Sequence, residues 1–255
     1  TTRNRILGVA AGEGWQIVFV DTPGLHKPRN RLGEFMMQEA EAARDDVDAV
    51  LAVVDGAHLG ERDAAILDDV RQMACPKFLA VNKTDLVTPE QLMPRLASLN
   101  VEGFERVFSV SARQGDNVDA LKTALVAAMP VGPKYFPDDM VTDQPERVIC
   151  AEIIREKALR NLYDEVPHGI GVEMMGMQKI GDGRMEIHAT IYCEKASHKG
   201  VIIGKQGAML KKIGSEARVD IERLLGCKVM LRLWVKVRED WRNRTGDLKT
   251  LGYGE

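Results

Sequence analysis

The sequence is poor in cysteine and contains no long apolar run. Its four cysteines form no C-x-x-C pair and have no histidine at ligand spacing: Cys75, Cys150, Cys193 and Cys227. This excludes a disulfide framework and a structural zinc site, and predicts small buried thiols. No apolar stretch approaches the roughly 18 residues of a membrane span, and no signal peptide is visible. We therefore expect a cytoplasmic protein whose 255 residues form two domains.

Residues 15–26, WQIVFVDTPGLH, carry the first functional pattern. The apolar run at 17–20 stops at Asp21 and is followed by Pro and Gly, which indicates a buried strand that feeds a tight loop. At the carboxyl end of such a strand Asp21 can hold a hydrated Mg²⁺, and the backbone N–H of Gly24 can approach a phosphate closely. By itself D-x-x-G is also the pattern of an ordinary turn. Its meaning depends on the loops that follow.

Strand and helix patterns alternate through the first half of the chain. Apolar strand patterns occur at 49–54, 78–81 and 107–110, and helical patterns occur at 32–43, 66–73 and 118–126. Repeated β-α units predict an α/β fold with a doubly wound, mostly parallel sheet, whose ligand-binding loops lie at one edge. The sequence therefore places three polar segments at that edge: D-T-P-G at 21–24, N-K-T-D at 82–85 and V-S-A at 110–112.

The N-K-T-D segment has a clear chemical use in reading a purine base. The carboxylate of Asp85 can accept the ring and exocyclic N–H groups of guanine, which adenine does not offer in that arrangement. The Asn82 amide can bridge loops, and the Lys83 stem can lie over the ring. A carboxylate left unpaired is costly, so adenine is rejected as well as guanine accepted.

The three segments, in this order and each at a strand end, resemble the translation-factor-related class of P-loop GTPases. The residues around them, TTRNRILG and DTPGLHKPRNRLGEFM, resemble the Era family within that class. The resemblance implies GTP and GDP as ligands, Mg²⁺ as cofactor, and slow hydrolysis because Leu25 replaces a water-orienting glutamine. It implies catalytic and metal roles for Thr2 and Asp21, a γ-phosphate contact for Gly24, and base-side contacts for Asn82, Lys83, Asp85, Ser111 and Ala112.

One motif of that class is missing from these residues. No G-x-x-x-x-G-K-[ST] sequence occurs, although that loop supplies the phosphate cradle, a lysine and a Mg²⁺ ligand. The sequence also opens at Thr1 in a polar segment without a preceding strand. We expect that the first strand, the phosphate loop and the first helix are absent from this chain. The alternative is an RNA-binding module on an inert α/β scaffold.

The second half of the chain has a different pattern. A stretch at 132–145 with three of the ten prolines and no apolar periodicity predicts a linker. It divides a GTPase-like domain at 1–131 from a second domain at 146–255. The latter begins with a helical pattern and continues with two alternating strand patterns around Gly181-Asp182-Gly183, which predict a hairpin.

The hairpin is followed by a G-x-x-G segment between two helical patterns. It fits the loop with which K homology (KH) domains clamp single-stranded RNA, where a Cβ would keep phosphates away from backbone N–H groups. From Lys195 to Arg244 there are 13 Lys and Arg against 5 Asp and Glu in a chain of net charge −3. This asymmetry favours an anionic partner over an ordinary helix-helix turn. The predicted RNA contacts are Ile203, Gly204, Lys205, Gln206, Gly207, Lys211 and Lys212.

The last strand pattern, at 229–237, alternates clearly. Its apolar positions face one way, while Met230 and Trp234 share the other face with basic residues. An exposed tryptophan here can stack on a nucleobase, or it can be covered by a neighbouring segment. Three histidines, His168, His188 and His198, have no evident partner in the sequence.

The order helix, strand, strand, helix, helix, strand is similar to the type II KH domain of the Era family, an α+β fold. The resemblance implies a partner, the 3′ end of 16S ribosomal RNA, and a role in assembling the small ribosomal subunit; we expect no DNA partner. It also implies peripheral contact with the cytoplasmic face of the inner membrane, which no stretch of this chain encodes.

Overall fold

The computed structural model describes residues 2–24, 28–44 and 47–254. It divides into two compact units. The C-terminal unit comprises Thr1–Ile6, His26–Glu39 and Asp143–Glu255, and the N-terminal unit comprises Leu7–Leu25 and Ala40–Thr142. The elements up to residue 128 are β1 Ile6–Gly12, β2 Trp15–Asp21, α1 Arg31–Ala42, β3 Val50–Asp55, α2 Glu61–Arg71, β4 Lys77–Asn82, α3 Pro89–Ala97, β5 Arg106–Ser109 and α4 Val118–Ala128.

The N-terminal unit contains the predicted parallel sheet. Strands β3, β4 and β5 are adjacent in that order and all parallel. The central strand β4 is buried on both faces: Leu79 and Val81 belong to a core with α2 and α3, and Phe78 and Ala80 to a core with α4. A parallel sheet covered on both sides requires such a continuous apolar strand. The doubly wound α/β fold class is therefore confirmed.

The strand before the D-T-P-G loop belongs to a separate two-stranded sheet. β1 and β2 are hydrogen-bonded to each other and joined by a two-residue turn, and the alternation patterns did not predict β1. β2 nevertheless shares a core with the parallel sheet, because Ile17 packs in the same cluster as Phe78. Part of the predicted linker is fastened to β2, since Gln16 Nε2 donates to the Phe136 carbonyl at 2.8 Å.

The C-terminal unit has one three-stranded sheet covered by helices. Its elements are α5 Glu146–Asn161, β6 Gly171–Ile180, β7 Arg184–Cys193, α6 Ala196–Ile203, α7 Ala208–Leu225, β8 Val229–Val237 and α8 Thr245–Thr250. β6 and β7 are antiparallel, β7 and β8 are parallel, and the order is β6-β7-β8. Fully buried side chains such as Ile154, Ile187 and Ile213 form the core between sheet and helices. The predicted α+β element order is confirmed.

A second apolar cluster covers one end of the outer sheet face in this unit. Leu32 and Met36 of α1 pack there with Tyr192 and Trp241. Arg3 is buried beside them and donates to the Ile170 carbonyl at 2.8 Å. Residues 2–6 and 28–39 thus pack with the C-terminal residues, although they precede them by more than 100 positions. No described helix is both long and apolar enough to cross a membrane.

Candidate nucleotide and RNA sites

The carboxyl ends of β3 and β4 bring the polar loops of the N-terminal unit together. Asp55 and Asn82 are register partners at the ends of these strands. The next loop is joined to the same edge, because the backbone N–H of Thr84 donates to the Val110 carbonyl at 3.2 Å. The predicted meeting of the N-K-T-D and V-S-A segments is therefore observed, and follows from parallel strands that end in register.

Asn82 links the two loops through its side chain. Its Oδ1 atom accepts hydrogen bonds from the backbone N–H of Lys83 at 2.8 Å and of Ala112 at 3.0 Å. The amide oxygen is thereby committed to the protein, which leaves the Nδ2 hydrogens to donate elsewhere. The bridging geometry predicted for Asn82 is present in the structure, while its contact with a base stays a prediction.

Asp85 is oriented by a buried hydroxyl. Ser111 Oγ donates to Asp85 Oδ1 at 2.7 Å and accepts a hydrogen bond from the Gln114 backbone N–H at 3.2 Å. Because Ser111 has no exposed surface, it acts here by positioning the carboxylate. One oxygen of Asp85 is held by the protein, and the half-buried carboxylate retains acceptor capacity for a ligand.

Lys83 is held by a residue that the motif analysis did not assign. Its Nζ atom lies 2.7 Å from Asp55 Oδ2, and its backbone has a left-handed φ of 63°. The hydrogen bond from Lys83 keeps the pKa of Asp55 below its ordinary value, with further help from the Ala57 backbone N–H. In the sequence, the Asp55-Gly56 pair at the end of the β3 pattern was the feature that could have indicated this contact. Asp55 therefore fixes the direction of the Lys83 stem.

The D-T-P-G loop follows β2 as predicted. Asp21 is the last residue of that strand, Pro23 is buried, and Gly24 is exposed with no atom within 4 Å of where a Cβ would stand. Thr2 belongs to the C-terminal unit, whereas Asp21 and Gly24 belong to the N-terminal unit. The roles of these three residues at Mg²⁺ and phosphate stay predictions. Leu25 lies outside the described residues.

The G-x-x-G loop joins α6 to α7 through a short 3₁₀ turn, Lys205–Gly207. Gly207, with φ 79°, directly precedes α7, whose first backbone N–H groups are the donors of a helix N-terminus. The side chains of Lys205 and Gln206 are exposed, as an anion-clamping loop requires. Ile203 is half-buried and packs against the core, so its predicted RNA contact has little free surface.

Gly204 is required by the fold itself. It has φ 72° and ψ 177°, and a Cβ placed on it would lie 2.7 Å from the Cβ of Met209 and 2.9 Å from its backbone N. At Gly207 a Cβ would meet nothing within 4 Å. The predicted reason for both glycines was phosphate approach. The structure adds a steric reason at Gly204, which the sequence spacing did not show.

A groove of about 590 Å³ runs beside this loop, between α7 and β8. Gly207 and Leu210 line it together with four basic side chains, Arg184, Lys211, Arg218 and Lys228. Lys211 was predicted. The other three basic residues were missed, because they come from the start of β7, a later turn of α7 and the position before β8. Lys212 is exposed on α7 but does not line the groove. A basic, partly apolar groove suits a single strand of nucleic acid.

The structure gives one of the three histidines partners that the sequence did not indicate. His188 has partners: its Nε2 lies 3.1 Å from Glu186 Oε1, and its ring meets the Trp234 ring edge-on with centroids 5.4 Å apart. Alternate residues of β7 share a face, and β8 pairs with β7, so His188 and Trp234 become neighbours only when the sheet forms. Separated by more than 40 positions, they gave no signal in the sequence.

Two family models match the chain. One, described as a 50S ribosome-binding GTPase, matches residues 1–83, and the other, a KH domain, matches residues 165–242. Two crystal structures superpose closely. Era in complex with MgGDPNP and nucleotides 1506–1542 of 16S ribosomal RNA has a TM-score of 0.93 at 34% identity, over 100% of this chain and 88% of that one. An Aquifex aeolicus Era variant bound to GDP·AlF4⁻ has a TM-score of 0.92 at 33% identity, with the same coverage.

The sequence relatives align with nearly the whole length of this chain. GTPase Era of Ruminiclostridium cellulolyticum is 49% identical over 99% of this chain and 86% of its own length. GTPase Era of Alkaliphilus metalliredigens is 50% identical over 99% of this chain and 87% of its own length. Because these relatives are about half identical to it over almost its whole length, this chain belongs to the Era family of GTPases.

Proposed function

We propose that this chain is a guanine-nucleotide switch that binds the single-stranded 3′ end of 16S ribosomal RNA in the cytoplasm and assists assembly of the small ribosomal subunit. The observation that carries the nucleotide half is the Ser111–Asp85 hydrogen bond, at 2.7 Å, beside the Asn82 bridge. These contacts hold a carboxylate and an amide in fixed positions at one sheet edge. Such preorganised groups discriminate guanine from adenine by hydrogen bonding.

The phosphate end of the nucleotide would meet the residues predicted from the family resemblance. Asp21 and Thr2 offer the hard oxygen ligands that suit Mg²⁺, and Gly24, with open space where a Cβ would stand, lets a γ-phosphate approach the backbone. Mg²⁺ bound there would neutralise charge on the transferring phosphoryl group. Hydrolysis would be slow, because Leu25 has no group to orient water.

A second candidate function is RNA binding without nucleotide. It is favoured by one observation, that no G-x-x-x-x-G-K-[ST] sequence occurs among these 255 residues. Backbone N–H groups of that loop normally supply much of the phosphate affinity. In this case the α/β sheet would serve as a scaffold for the C-terminal unit.

The RNA half of the proposal is supported by the charge and shape of the C-terminal unit. The exposed Lys205 and Gln206 directly precede Gly207, which lines a groove together with Arg184, Lys211 and Arg218. We propose a GTPase domain at 1–131, a linker at 132–145 and a type II KH domain at 146–255. Contact with the small subunit as a whole, and peripheral contact with the membrane, stay predictions.

A nucleotide titration separates the two candidate functions. Fluorescent GDP with Mg²⁺ is titrated with the full chain, with ADP and XDP as competitors, in wild type, Asp85→Asn and the exposed control Asp119→Asn. We expect GDP to bind, ADP to compete poorly, and Asp85→Asn alone to shift preference toward XDP. Unchanged base preference in Asp85→Asn would overturn the role of Asp85. Absence of any nucleotide binding would favour the second candidate.

An RNA titration tests the KH loop independently. The double substitution Lys205→Asp with Gln206→Asp places two negative charges where phosphates are expected, while Lys249→Asp with Thr250→Asp makes the same charge change on α8, away from the groove. We expect the loop variant to bind single-stranded RNA at least about tenfold more weakly and with a smaller salt dependence, and the α8 variant to be nearly unaffected. Equal affinities would remove the KH assignment.

A further inference from the structure

The outer face of β8 presents a tryptophan between two basic residues. Met230, Arg232, Trp234 and Lys236 alternate along the face turned away from the core helices α5, α6 and α7, and β8 is an edge strand of its sheet. Trp234 is 44% exposed and Met230 39% exposed. The other end of this outer face is covered, because Tyr192 is buried under the cluster that contains Trp241. The outer face of β8 itself is exposed from Met230 to Lys236.

The Trp234 ring is held in place by the neighbouring strand. His188 meets it edge-on, with ring planes at 69° and centroids 5.4 Å apart. Glu186 lies beside His188 and also accepts from Gln178 Nε2 at 3.2 Å, and Arg232 Nε lies 3.3 Å from its Oε1. A T-shaped neighbour supports the indole and leaves at least one of its two faces uncovered. The indole is thus an oriented platform.

The charges around this platform complement a polyanion. Arg232 and Lys236 flank Trp234 on the same face, and both are exposed. The nearest carboxylate on β7, Glu186, is already engaged with His188 and Arg232. An aromatic ring between cations is the arrangement with which proteins hold single-stranded nucleic acid, because the bases stack and the phosphates are neutralised.

The platform is continuous with the groove beside the G-x-x-G loop. Met230 lines that groove and is also the first residue of the exposed stripe on β8. Trp234 lies four positions after Met230, and four positions span about 13 Å along a strand. A single strand of two or three nucleotides spans that distance, so RNA leaving the groove can cross the edge of β8.

We propose that Trp234, Arg232 and Lys236 form a second RNA subsite on the outer face of β8, in which a nucleobase of the strand held at the α6–α7 loop stacks on the indole. The proposal rests on the proposed RNA-binding function and extends the site from one face of the sheet to the other. Stacking of this kind tolerates any base, so the subsite contributes affinity rather than sequence specificity.

The test compares RNAs of two lengths on the full chain. One is about four nucleotides long, the length that a KH loop clamps, and the other is about ten nucleotides long. We expect Trp234→Ala to weaken the longer RNA about 5- to 100-fold and to leave the shorter one unchanged, and Trp234→Phe to restore most of the affinity. Met175→Ala is the matched control, because Met175 is 54% exposed on the opposite edge strand.

Each outcome bears on a different claim. Equal effects of Trp234→Ala on both lengths, or no effect on either, would overturn the subsite. If the Lys205→Asp, Gln206→Asp variant loses binding to RNAs of both lengths, the KH loop is still supported. If that variant binds both RNAs as wild type does, the proposed RNA-binding function itself is overturned. Intrinsic fluorescence gives a second readout, since only the longer RNA should quench Trp234. Self-association of the chain that Trp234→Ala abolishes would show instead that a second copy covers this face.

Discussion

Replacing either glycine of the G-x-x-G loop by alanine adds one methyl group, yet the structure predicts very different results at the two positions. Gly204 has φ 72° and ψ 177°, while Gly207 has φ 79° and ψ 7°. A Cβ at Gly204 would lie 2.7 Å from the Cβ of Met209, whereas at Gly207 it would stand in open space. Gly204→Ala should therefore disrupt the α6–α7 junction, and Gly207→Ala should be tolerated.

The two costs can be estimated separately. The backbone conformation of Gly204 costs a residue with a Cβ about 1–3 kcal/mol. Relieving the contact with Met209, at the start of the well-packed helix α7, adds about 1–3 kcal/mol of overpacking. The free energy of unfolding should fall by about 2–6 kcal/mol in Gly204→Ala. Gly207→Ala should lose only about 1–2 kcal/mol, the cost of a left-handed residue.

Hydrogen exchange of the native chain measures this difference where it arises. In Gly204→Ala the amides of α6 and α7, residues 196–225, should exchange much faster than in wild type, while those of β3–β5 keep their protection. In Gly207→Ala both regions should stay close to wild type. Equal protection of α6 and α7 in the two variants would refute the steric argument. If the steric argument is correct, a loss of RNA binding in Gly204→Ala would result from disrupted folding. Charge changes at Lys205 and Gln206 are then the substitutions that test phosphate contact.

Two further predictions concern buried groups. Arg3 donates to the Ile170 carbonyl at 2.8 Å and to the Tyr253 hydroxyl at 3.1 Å, so Arg3→Met should lower the free energy of unfolding by about 3 kcal/mol in urea titrations, because charged hydrogen bonds are lost and acceptors stay buried. The exposed Arg5→Met is its control, and an equal loss there would contradict this account. Burial raises the pKa of Cys150 to about 11. At pH 8 about one Cys150 in a thousand is then a thiolate, so iodoacetamide should modify the half-buried Cys75 and Cys227 far faster. Labelling should reach Cys150 only as the pH rises toward that pKa or the protein unfolds; equal rates at pH 8 would contradict its burial.

Elements with strong periodicity were predictable, and weakly patterned ones were not. The apolar run of β4 and the strict alternation of β8 each indicated a strand that the structure contains. Helix α3 was missed, although Thr88 and Gln91 carry the residue types of a capping box and the Thr88 backbone N–H bonds to Gln91 Oε1 at 3.2 Å. The strand β1 was missed because its residues, ILGVAAG, alternate poorly and are only half-buried.

Local sequence patterns are enough to identify the chemical groups at the strand and helix ends, because local geometry fixes the positions of motif residues that lie a few positions apart. N-K-T-D at the end of β4 and G-x-x-G between α6 and α7 are of this kind. The distant residues that hold those groups are visible only in the folded chain. Ser111 orients Asp85, Asp55 holds Lys83, and His188 supports Trp234 through contacts between different loops and strands. Such contacts depend on strand register and packing, which bring together residues that no local pattern connects.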